Sequence, residues 1–213
     1  MDAALVVAIV GAESTGKTML AATLAERVEA LTGLAATWVP ETLRGWCEAH
    51  GRTPRADEQP AIAAAQQRAI ERAARKHAVV VADTTPLMTA VYSRLLFGDR
   101  SLEAAALAFQ RRCALTLVTA LDLPWVADGL QRDGPHVQQP VDDLLRDALL
   151  EARMPWALVT GRGPARSAHA LDAIAPLLRA RQAPRTGPEG TDRRWRCAGC
   201  DDPDCERRSR LVR

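Results

Sequence analysis

Eight consecutive residues, Gly11-Ala12-Glu13-Ser14-Thr15-Gly16-Lys17-Thr18, fit the pattern G-x-x-x-x-G-K-[ST] of a phosphate-binding loop. In such a loop, backbone N–H groups and the N-terminus of the next helix cradle phosphate oxygens, and the lysine reaches the β- and γ-phosphates. The Thr18 hydroxyl is a ligand for Mg²⁺. Gly11, Glu13, Ser14, Thr15, Gly16, Lys17 and Thr18 are thus the expected ATP-binding residues, with Lys17 catalytic as well. The lysine is informative because only Lys17 and Lys76 occur among 28 basic residues. A flexible point charge stands where a planar guanidinium would serve poorly.

Carboxylates complete the chemistry. Asp83 ends the apolar run Val79-Val80-Val81-Ala82, and an acid at the tip of a buried strand is a second anchor for Mg²⁺ beside Thr18. It could equally cap the helix that begins near Leu87. Glu41 follows Trp38-Val39-Pro40, a position from which a carboxylate can orient an acceptor hydroxyl and take its proton. Arg44, three residues on, either joins Glu41 at the acceptor or pairs with it as a surface salt bridge. Segment 123–134, with its Pro, Gly and charged residues, suits a flap that closes over nucleotide and carries Arg132 to the transferring phosphoryl group. A plain surface loop with a buried Trp125 is the other reading. Arg166 is placed either to stack on adenine or to stand as a solvated helix N-terminal arginine. The four histidines show neither triad nor ligand spacing.

A further constellation lies near the C-terminal end. Cys197, Cys200 and Cys205 form C-x₂-C-x₄-C, three of the four thiolates of a zinc knuckle, with no fourth ligand in the local sequence. Either Zn²⁺ or free thiols in a solvated tail accounts for them.

The elements that must position these groups alternate. Apolar strands are expected at 5–10, 35–39, 78–82, 114–121 and 156–159, with helices near 17–32, 57–76, 86–97, 101–112 and 140–153. This order predicts an α/β fold of three layers, a P-loop NTPase arrangement with a parallel sheet flanked by helices. Ligands then collect beyond the carboxyl ends of the strands, where the phosphate loop, Glu41 and Asp83 all fall.

Val39-Pro40-Glu41, Val81-Ala82-Asp83-Thr84 and, above all, Pro124-Trp125-Val126-Ala127-Asp128-Gly129-Leu130 join the phosphate loop in a resemblance to the NadR-type ribosylnicotinamide kinase domain. It spans roughly residues 5–178. The resemblance implies transfer of the ATP γ-phosphoryl group to the 5′-hydroxyl of nicotinamide riboside, giving nicotinamide mononucleotide in NAD salvage. It assigns Lys17, Asp83, Glu41 and Arg132 to catalysis. Glu41, Arg44, Tyr92, Trp125 and Asp128 would bind the acceptor, whose cationic ring calls for carboxylates and an aromatic face, with Trp46 a further candidate. Three places depart from the family pattern. Gln131 stands where an arginine usually follows Gly-Leu, so Arg132 comes one position late. Asp83-Thr84-Thr85 replaces Asp-Thr-Asp, and Glu41-Thr42-Leu43-Arg44-Gly45 loses an aromatic and an acid. These changes appear on the acceptor side. No adenylyltransferase signature precedes Leu5, so only the kinase portion of such a regulator is expected.

Composition sets the outer limits. A chain of 213 residues with a net charge of +2 gives no sign of a wholesale nucleic-acid or membrane partner. Without a span of ~20 apolar residues or a leader-like start, a cytoplasmic protein is expected. Arg181 to Arg213 holds nine arginines against six acids. Composition therefore divides a kinase domain at 1–180 from a flexible, Cys/Arg-rich tail at 181–213. A second function class remains open: a nucleotide-dependent regulatory ATPase whose basic tail binds a partner or nucleic acid.

Overall fold

The computed structural model describes residues 3–126 and 134–183. Five strands, β1 (Leu5–Val10), β2 (Ala36–Val39), β3 (Val79–Asp83), β4 (Leu115–Thr119) and β5 (Trp156–Val159), form one sheet in the order β2-β3-β1-β4-β5. Every pairing is parallel. The central strands are near-continuous runs of Val, Ile, Ala and Leu because both faces are covered: Val7 to Val10 and Val79 to Ala82 are wholly buried.

Strand side chains alternate between two cores. Val7, Ile9, Val79, Val81 and Leu117 pack against α1 (Lys17–Thr32) and α7 (Gly163–Gln182). Val10 and Val118 face α4 (Pro86–Phe97), α5 (Glu103–Gln110) and α6 (Gln138–Glu151), while Val80 and Ala82 meet Ile70 of α3 (Gln59–Ala74). The expected three-layer α/β architecture is present. No described helix is long and apolar enough to cross a membrane.

Two helices escaped the periodicity reading. α2 (Thr42–His50) has only nine residues, so its apolar positions Leu43, Trp46 and Cys47 span little more than one turn. α7 buries Ala170, Ile174 and Leu178 at fourfold spacing, but Pro176 and three arginines interrupt the pattern.

Candidate active site

The phosphate loop joins β1 to α1 at the centre of the sheet. Gly11 (φ 150°), Ser14 (φ 60°) and Gly16 (φ 75°) turn the backbone through positive φ, the kind of path that lets successive N–H groups face one ligand. The loop is braced from later elements. The Thr15 hydroxyl donates to Ala12 O at 2.8 Å and lies 2.7 Å from the Thr119 hydroxyl on β4. Gln138 Nε2, at the start of α6, donates to Glu13 O at 2.8 Å. Gly11 has no alternative here, because a Cβ would come within 2.1 Å of Thr119 Oγ1. Lys17 Nζ donates to Ala12 O at 2.7 Å.

Thr18 Oγ1 donates to Asp83 Oδ2 at 2.6 Å, so the two expected Mg²⁺ residues meet. Asp83 is 1% exposed, and its Oδ1 is buried without a hydrogen-bond partner. Burial raises the Asp83 pKa, opposed by the Thr18 hydrogen bond and the charges of Lys17 and Arg44. An orphaned carboxylate oxygen beside a hydroxyl is a donor set that fits a hard cation.

Glu41 stands at the N-cap of α2. Its pKa is also raised, chiefly by burial; Lys17 lowers it, Asp83 raises it, and Arg44 and a hydrogen bond from Thr84 lower it again. Thr84 holds φ at 64°, a strained value for a residue with a Cβ, and its N–H donates to Ile9 O at 3.0 Å.

The phosphate loop, Glu41 and Thr84 open into a cleft of about 920 Å³, which Asp83 reaches only through its bond to Thr18. Gly11, Glu13, Ser14, Thr15, Gly16, Lys17 and Thr18 line one end. Glu41, Arg44 and Tyr92 line it farther along, with Leu43 and Cys47 of α2 and Met88 and Phe97 of α4. Thr53 to Ala56 close a further wall, held by Arg52, whose guanidinium donates to both Glu58 carboxylate oxygens at 2.6 and 2.7 Å.

Other expectations fall elsewhere. Trp125 is half-buried outside the cleft wall, with its Nε1 buried and unbonded among the described residues. Its neighbour Val126 exchanges hydrogen bonds with Ser14 Oγ at 2.8 and 2.9 Å, so this segment abuts the phosphate loop. Trp46 stacks on His50 with centroids 3.9 Å apart and carries Arg52 over its ring, outside the cleft. Thr85 turns into the core, donating to Gln110 Oε1 at 2.7 Å, so that departure from the family pattern does not face the acceptor. Asp128 and Arg132, and Cys197, Cys200 and Cys205, lie outside the described residues.

Arg166 is neither solvated nor free to stack on a base. It is 4% exposed; Nη1 bonds Asp122 Oδ1 at 2.6 Å and Gly161 O at 2.8 Å, and Nη2 bonds Thr15 O at 2.9 Å and Ala120 O at 3.3 Å. Those carbonyls draw the guanidinium inward, making it a brace for the phosphate loop.

Gln66 of α3 was missed. Its Oε1 accepts from the Thr42 N–H at 2.7 Å and from the Thr42 hydroxyl, while Nε2 reaches the carbonyls of Pro40, Asp83 and Thr84 at 3.3–3.4 Å. One buried amide thus fixes the strand ends that carry Glu41 and Asp83. The available signal was its place: Gln59, Ile62, Gln66 and Ile70 share the buried face of α3.

A family model described as "AAA domain" matches residues 6–166. No curated protein matches. A crystal structure of NadR protein in complex with NAD and AMP-PNP superposes with a TM-score of 0.65 at 23% identity, covering 81% of this chain and 49% of that one. A NadR complex with NR gives 0.63 at 22% identity, covering 81% and 50%. Thymidylate kinase from Ehrlichia chaffeensis gives 0.55 at 14% identity, covering 83% and 100%. The chain therefore spans about half the length of the NadR structures, with which it shares the fold of its sheet and flanking helices. With its match running from the first strand to the start of the last helix, the chain belongs to this AAA-domain family.

Proposed function

We propose that the protein is an ATP-dependent kinase of a small hydroxyl-bearing acceptor, and that the acceptor is the 5′-hydroxyl of nicotinamide riboside. The observation that carries the kinase reading is the 2.6 Å contact between Thr18 and Asp83, with a second carboxylate, Glu41, lining the cleft that Thr18 also lines. Thr18 and Asp83 would hold Mg²⁺, which when bound neutralises charge on the β- and γ-phosphates. Lys17 steadies the same phosphates. Glu41 orients the acceptor hydroxyl and takes its proton as the oxygen bonds to the γ-phosphorus and the bond to the β-phosphate oxygen breaks, releasing ADP. Arg132 and Asp128 are assigned to the flap over the two ligands. The acceptor assignment is supported by the Pro124–Leu130 motif and by the shared fold with a protein crystallised with NR.

A coupled ADP-release assay over ribosides and other small alcohols tests this reading. Nicotinamide riboside is expected to give the largest stimulation. If no nucleoside raises ADP release above the ATP-only background in Mg²⁺, the kinase reading fails.

A further inference from the structure

The cleft holds one amide that no step above uses. Gln59, the first residue of α3, lines the cleft yet is only 4% exposed. Its side chain hydrogen-bonds to no other described residue. Its amide is not sealed in the core but opens on the cleft, where its two donors and one acceptor are available to whatever fills that space.

Its place indicates the partner. Gln66, which ties down the carbonyls of Asp83 and Thr84, lies seven residues along the same helix face, about 10 Å at 1.5 Å per residue. That rise is of the order of the length of a ribose with its attached ring. Leu43 and Cys47 of α2 and Met88 and Tyr92 of α4 line the cleft, with Arg44 and Thr89 among them, a largely apolar wall in which a few polar side chains fix orientation.

We infer that Gln59 reads the ring of the acceptor, pairing with a planar group that presents a donor and an acceptor side by side. A primary carboxamide and the lactam edge of a nucleobase share this chemistry. The inference rests on the kinase reading above.

The test compares kcat/KM for two matched pairs: nicotinamide riboside against the pyridine riboside lacking its carboxamide, and uridine against the pyrimidin-2-one riboside lacking its lactam N–H. The intact protein should prefer the amide-bearing member of one pair by about 10- to 100-fold, and that pair identifies the source. Gln59→Met and the near-isosteric Gln59→Glu should each reduce the preference below about 3-fold while leaving AMP-PNP affinity within about 2-fold. Retained AMP-PNP binding shows that each variant is folded. Turnover with a preference that both variants leave unmoved, or no preference in the intact protein, overturns this inference alone. Turnover of no riboside overturns the kinase reading and this one with it.

Discussion

Lys17 and Glu41 line one cleft and feel each other's charge, and the balance of burial and charge sets when Glu41 can work. Its pKa lies above the ordinary carboxylate value because desolvation outweighs the pull of Lys17 and Arg44. A proton acceptor must be ionised, so kcat/KM should rise with pH through that elevated value and level off above it. In Glu41→Gln the acid limb should vanish and kcat fall by about 10²- to 10⁴-fold; a pH–rate profile of both forms decides. The phosphate loop, Glu41 and Asp83 were readable from the sequence because their signals are short-range, a fixed octet and two acids at strand ends. Arg166 was not, because the groups that bury it, Thr15 O and Asp122, stand 151 and 44 positions away.

At the scale of elements, the cleft depends on ties between helices and strand ends. Gln66 meets four backbone groups and a hydroxyl from two segments. Gln66→Leu should cost about 1–3 kcal/mol in denaturant unfolding, and kcat should fall further than AMP-PNP affinity, because the strand ends bearing Glu41 and Asp83 are released. The wall preceding α3 depends on charge. Arg52 and the Arg55 N–H hold the Glu58 pKa at about 2, below its ordinary 4.5. A depressed carboxylate pKa stabilises fully above the ordinary value, and the contribution is lost as pH falls from about 4.5 through about 2. Titration of the Glu58 carboxyl by NMR should give a midpoint near 2, returning toward 4.5 in Arg52→Ala. The strands were readable because central parallel strands are unbroken apolar runs. α2 was not, since the apolar pattern of a nine-residue helix is too short to stand out.

For the whole molecule, nucleotide and folding are linked, because the unfolded chain has no phosphate loop. AMP-PNP with Mg²⁺ at about 100 times its Kd should stabilise the protein by about 2.7 kcal/mol, a rise in Tm of about 5–10 °C for a chain of this size. In Lys17→Ala the rise should nearly disappear at the same concentration, with the Tm of the free protein little changed; differential scanning calorimetry checks both. The alternating strand and helix order made this architecture readable in advance. The braces of the loop were not, because they come from β4, α6 and α7.

The contact between Gly11 and Thr119 bears on how such a loop can be inherited or transplanted. A side chain at 11 is blocked by the hydroxyl at 119, and that hydroxyl in turn engages Thr15 and the Val10 carbonyl. The octet is therefore not a portable cassette. A graft of residues 11–18 into another sheet would have to carry position 119 with it. Evolutionary drift at either site would likewise have to pass through paired changes, with β4 keeping the record of what the loop requires.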